Sequence, residues 1–145
     1  MPSIVSYQKV YDAATTYQLA TPDGATELCT LAGTTYVTLP DGADLPDGQP
    51  TQIAASIQAV TPDDALRDAI IAASPHCQLV DERMRQQIRD VYDLETELKY
   101  ARIGLGAVMG MYQPTQSEIA GMSAFGAHVE AVRQWGRDER AKLGL

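Results

Sequence analysis

The chain has 145 residues, of which 45% are hydrophobic and 21% charged, enough apolar material for one core and too much for wholesale disorder. Eleven Lys and Arg stand against 19 Asp and Glu, a formal charge of −8, and a surface of that sign repels a phosphate backbone, so nucleic acid is not an expected partner. The opening Met-Pro-Ser-Ile lacks a basic stretch followed by an apolar run, and no segment approaches the roughly 18 apolar residues of a membrane span, so the expectation is a protein made in cytosol with no membrane partner.

Residues 1–60 carry β-prone runs separated by turn residues: Ile4 to Val10, Thr16 to Ala20, Thr26 to Leu31, Thr34 to Leu39 and Gln52 to Val60. Such runs predict strands. Thr21-Pro22-Asp23-Gly24 suits a turn, because Pro fixes an early φ and Gly accepts a positive one, and it predicts a hairpin between Gln18–Ala20 and Thr26–Leu28. The stretch from Pro40 to Pro50, rich in Pro, Asp and Gly, predicts an exposed connection. Ile53, Ala55 and Ile57 then alternate with polar or small residues as in a strand with one buried face, a helix being the competing possibility.

From residue 61 the period lengthens. Thr61-Pro62 with Asp64 reads as a helix start and predicts a short helix from Pro62 to about Ala73. Ser74-Pro75 repeats the signal, and Leu79, Val80, Met84, Ile88 and Val91 mark an apolar stripe on the next helix. Asp93 caps a third, with Leu94, Leu98, Ala101 and Leu105 on one face. Gly104, Gly106 and Gly110 weaken its end, and Gln113-Pro114 interrupts it. Thr115 with Glu118 offers a capping box for the last helix, where Ile119, Met122, Phe125, Val129, Val132 and Trp135 form the clearest stripe of the chain. The fold class is therefore α+β: an antiparallel β module over residues 1–60, followed by a bundle of three to four helices over 61–145.

Constellations for chemistry are sparse. Cys77 follows His76, but helical neighbours point about 100° apart, so adjacency does not bring thiol to imidazole. Cys29 alternates within a strand as a small core residue. His76 and His128 are isolated, and Asp41, Asp44 and Asp47 lack the alternate spacing of a calcium loop, so no metal is expected. Gly104-x-Gly106-x-x-x-Gly110 neither follows a strand nor has a dinucleotide loop's spacing. No catalytic residue and no cofactor follow from these patterns, and the chain reads as a non-enzyme. What remains is surface for other proteins: Tyr100, Met109, Met111, Tyr112, Trp135 and Arg137 are the candidate interface anchors, of the residue types that dominate interface energetics. Core packing is the competing reading for Trp135.

Several segments also carry a family likeness: Gln49-Pro50 with Ile53, Ser74-Pro75-His76 with Leu79-Val80, Ile88-Arg89 with Tyr92, Glu97-Leu98-Lys99 with Arg102, Val132-Arg133-Gln134-Trp135-Gly136-Arg137, and Lys142-Leu143-Gly144-Leu145. In these the chain resembles small proteins encoded with the tail and tail-fibre genes of tailed bacteriophages, from about residue 49 to the end. The resemblance implies a virion structural protein of the tail, at the baseplate or where fibres attach. It would be present in multiple copies and contact other tail, baseplate or fibre subunits. An assembly chaperone that escorts a tail fibre and is absent from the mature virion is the alternative it implies.

Overall fold

A computed structural model describes all residues from Met1 to Leu145 and shows an α+β chain, with an antiparallel sheet at the N-terminus and helices beyond it. The strands are β1 (Ser3–Tyr7), β2 (Val10–Asp12), β3 (Thr15–Tyr17), β4 (Thr26–Leu31), β5 (Thr34–Leu39) and β6 (Gln58–Val60). The helices are α1 (Thr51–Ala54), α2 (Asp64–Ala73), α3 (Pro75–Val91), α4 (Leu94–Val108) and α5 (Gln116–Ala141). Two compact units result, one of residues 1–79 with 139–145 and one of residues 80–138. This division does not follow the change in secondary structure at residue 60. Helix α2 and the chain's last turn pack with the sheet, because a sheet that is apolar on both faces needs a cover on each.

In the first unit the sheet order is β4-β5-β1-β6, every pair antiparallel, with β2 and β3 forming a separate hairpin. The central strand β1 alternates its side chains between two cores. Val5 and Tyr7 join Leu19, Val37, Leu39 and Ile53 on one face. Ile4 joins Leu28, Cys29 and Ile70 on the other, under Leu66 of α2 and the C-terminal Leu143 and Leu145. A bulge in β4 between Glu27 and Cys29 sets Leu28 and Cys29 against the same cluster, since the extra residue breaks strict alternation. The Thr38 hydroxyl donates to the Leu143 carbonyl at 2.7 Å and ties the last turn to β5. The β4–β5 turn is Ala32-Gly33, both at positive φ, 47° and 82°, the twist that a two-residue hairpin requires.

Three local expectations are corrected. The run from Gln52 to Val60 is not one strand: Ile53 and Ala54 both donate backbone N–H to the Pro50 carbonyl, forming the single turn α1, and only Gln58–Val60 reaches the sheet. The turn at Pro22 forms, with Ala25 N–H on the Pro22 carbonyl at 3.2 Å, but Gln18–Ala20 does not pair with β4. The Gln49 side-chain amide instead takes both backbone groups of Ala20, at 2.9 and 2.8 Å, and so occupies the bonds a ladder would use. Helix α2 starts at Asp64 and not at Pro62, since the Asp63 carboxylate accepts from Leu66 N–H at 2.8 Å and so caps the first turn.

In the second unit, Tyr92, Tyr100, Phe125 and His128 form one aromatic cluster, with Tyr92 edge-on to Phe125 at a centroid distance of 5.0 Å. The His128 Nε2 donates to the Gln87 carbonyl at 3.1 Å. Val80, Val132 and Gly136 are the buried residues of this unit, and Gly136 makes room for the Met84 thioether.

Candidate functional site

Helix α4 begins where the Asp93 carboxylate accepts from Thr96 N–H at 2.7 Å, and the Thr96 hydroxyl, followed by that N–H, holds the carboxyl below its usual range. The helix is apolar on two sides. Tyr100 points inward, its ring centroid 5.7 Å from Phe125 and 6.4 Å from Tyr92, in a notch left by Gly121. The opposite side carries Leu94, Leu98, Ala101, Leu105 and Val108, all exposed, Val108 to 87%. The spacing placed the four residues from Leu94 to Leu105 on one face, and the structure turns that face outward. A helix apolar on both sides buries one of them here, and edge-on and tilted rings with a glycine notch give Tyr100's side the closer fit.

At the C-terminal end of α4 the exposed apolar surface continues through the turn. Gly110, at φ 69°, reverses the chain, and the Gly106 carbonyl accepts from both Met111 and Tyr112 N–H at 2.9 and 3.1 Å. Gly106 is needed because Tyr112 Cβ lies 3.1 Å from where its side chain would begin. Met109 and Met111 are left exposed to 62% and 77%. The Tyr112 hydroxyl donates to the Glu118 carboxylate at 3.0 Å, an acceptor that raises the phenol's pKa. Glu118 also accepts from Thr115 N–H at 2.9 Å while donating its own N–H to the Thr115 hydroxyl at 3.2 Å. This is the capping box the spacing predicted. The Thr115 N–H, with Tyr112 behind it, keeps the Glu118 carboxyl below its ordinary range.

Of the six candidate anchors, Met109, Met111 and Tyr112 therefore come together on one turn. Tyr100 is held in the aromatic cluster. Trp135 is half-buried on α5, and Arg137 two residues on is exposed, with its guanidinium bonded to Glu130 at 2.5 Å and to Gln134 at 2.8 Å. Reading the sequence by residue type missed Leu94, Leu98, Leu105 and Val108 as surface residues. With Ala101 between them they alternate at four and three residues, a spacing that marks an apolar face without saying what that face meets.

The concavities are open ones. One of about 500 Å³ follows a flank of α4 along Glu95, Thr96, Lys99, Arg102 and Ile103. Another of about 400 Å³ has Met84, Ile88, Phe125 and Val129 as its floor and Asp81, Arg85, Glu97 and Arg133 at its rim. No group of three or more His, Cys, Asp or Glu stands close enough to hold a metal ion. Cys77 is fully buried while His76 is exposed, so the adjacent thiol and imidazole do not meet. Burial, with the Cys77 thiol nearby, pushes the Cys29 thiol up, which disfavours the nucleophilic thiolate. No helix is long and apolar enough to cross a membrane. Comparison with protein-family models, with curated proteins and with solved structures returned no match.

Proposed function

We propose that this protein is a structural component of a bacteriophage tail, at the baseplate or fibre-attachment region, and that it works through contacts with neighbouring subunits without catalysing a reaction. The observation that carries this reading is the continuous exposed apolar surface running along α4 into Met109, Met111 and Tyr112. Apolar side chains left exposed in one row, unlike singly scattered ones, are what protein partners cover. The likeness of residues 49–145 to tail-associated proteins supplies the setting, and retention in the virion belongs to the same proposal.

Mass spectrometry of purified phage particles tests it. Recovery of this chain in fixed ratio to a tail subunit is expected, together with loss of that incorporation when Met111→Asp and Met109→Asp are combined. A chain absent from particles that nonetheless raises the soluble yield of a co-expressed fibre would replace the structural role with an assembly chaperone. A chain absent from both would end the tail assignment.

A further inference from the structure

Leu94, Leu98, Ala101, Leu105 and Val108 succeed one another at intervals of four, three, four and three residues. That repeat keeps every member on a single seam of a helix packed lengthwise against another helix. The four larger side chains are between 43% and 87% exposed, so no helix of this chain covers the seam. The neighbouring helices end their apolar faces differently. Outward positions on α3 carry Glu82, Arg83, Arg85, Gln86, Arg89 and Asp90, and those near the end of α5 carry Arg133, Gln134, Arg137 and Asp138. The exposed repeat on α5, Ala120, Ala124, Ala127 and Ala131, is of alanines, and α4 is the helix that turns a seam of large apolar side chains to the outside.

We propose that this seam is the contact with a second copy of the same chain, the two α4 helices lying antiparallel about a two-fold axis. Size and charge both select that occupant and that direction. In the antiparallel register Leu94 meets Leu105 of the second copy, and Leu98 meets Ala101, so large faces small in the middle layers. The same register sets Glu95, on one flank of the seam, against Arg102 of the second copy, and the two-fold axis makes that opposite-charge pair twice. A parallel pairing would stack Ala101 on Ala101 and leave a void, and would set the two Glu95 carboxylates at the same end of the seam. The helix itself is also charge-balanced, with Glu95 and Glu97 against Lys99 and Arg102. The chain's overall acidity therefore does not oppose self-pairing at this face. The inference stands on α4 alone and does not require the tail assignment.

Sedimentation equilibrium of the full chain, from micromolar to millimolar concentration, is the test. The average mass should rise with concentration towards twice that of one chain. Leu98→Lys combined with Leu105→Lys should weaken association by about tenfold or more, since two buried leucines become unpaired charges. Circular dichroism should be unchanged, because both positions are solvent-exposed in the single chain. Glu95→Arg and Arg102→Glu should each weaken association, and their combination should restore it. Direction is read by oxidative crosslinking: Leu94→Cys mixed with Leu105→Cys should form a disulfide, whereas Leu94→Cys alone should not. A chain that stays single at every concentration, a double lysine variant that associates unchanged, or a Leu94→Cys chain that links to itself would overturn the proposal.

Discussion

Two glycines inside α5 should respond in opposite directions to the same substitution. Replacing a mid-helix Gly with Ala gains about 1 kcal/mol from backbone entropy and propensity alone. At Gly126 nothing lies within 4 Å of the new methyl, so Gly126→Ala should raise stability by close to that amount. At Gly121 the same methyl would overlap the Tyr100 hydroxyl and sit 3.0 Å from ring atoms Cε1 and Cζ. A flexible chain could swing aside, but this ring is held between Phe125 and Tyr92. Overpacking of that kind costs about 1–3 kcal/mol. Gly121→Ala should therefore run from nearly neutral to about 2 kcal/mol destabilised, and the gap between the two variants should be about 1–3 kcal/mol. Urea unfolding followed by circular dichroism and Trp135 fluorescence measures both. Adding Tyr100→Phe to Gly121→Ala should recover part of the loss, since the hydroxyl makes the closest approach. Equal stability of the two alanine variants would refute the notch as the reason Tyr100 faces inward.

Ala32 occupies a left-handed conformation at φ 47°, so Ala32→Asn, which tolerates that region, should stabilise the sheet unit by roughly 0.5–1 kcal/mol in thermal or urea unfolding. Two pairs of groups, one in each unit, should give opposite pH dependences. Tyr7 is raised by burial and Lys9 by its 2.7 Å bond to Glu27. Raised groups contribute stability that is complete below their unfolded values near 10 and is lost as pH climbs through the folded ones. Lys9→Met should flatten that alkaline limb in urea titrations of the sheet unit. Asp93 and Glu118 are depressed by their cap bonds. Their contribution is present above the ordinary carboxylate values and disappears as pH falls through the lower folded ones, which Trp135 fluorescence should register in the helical unit. With Cys77 fully buried and Cys29 nearly so, a thiol reagent should label neither at an appreciable rate until denaturant is added. Rapid labelling of Cys77 in the native chain would reopen a catalytic reading.

Much of the fold could be read from the sequence because it is set by local chemistry. The runs at Thr26–Leu31 and Thr34–Leu39 are strands with those bounds, the Thr115/Glu118 box forms, and Asp93 caps α4. What escaped was decided by contacts distant in sequence or by a choice between neighbouring caps. Nothing near Ala20 indicates that Gln49 takes its backbone bonds, and nothing near Pro62 says that Asp63 outcompetes Thr61 for the cap. The orientation of α4 is the sharpest case. Periodicity found the seam from Leu94 to Leu105, but the second face, at Tyr100, holds fewer apolar residues and wins through ring packing that no window along the chain reveals. Of the candidate surface, the turn at Met109–Tyr112 was legible from residue type and α4 was not.

The thinness of the helical unit explains why a second apolar face was left on α4. Only Val80, Val132 and Gly136 are buried there, whereas the sheet unit has two separate cores. A unit this small buries too small a share of its surface to be more than marginally stable alone. Covering Leu94, Leu98, Leu105 and Val108 would add the burial that α3, α4 and α5 lack. Stability of the helical unit should then depend on protein concentration, because a partner that binds only the folded form shifts unfolding by mass action. Each tenfold rise in concentration is worth about 1.4 kcal/mol of dimer, or a melting shift on the order of 3–6 °C for a unit of this size. Trp135, the chain's single tryptophan, lies on α5 in that unit and reports it directly. A melting temperature by Trp135 fluorescence that stays constant over a hundredfold dilution would mean that the unit stands without a partner, and that the exposed leucines have some other purpose.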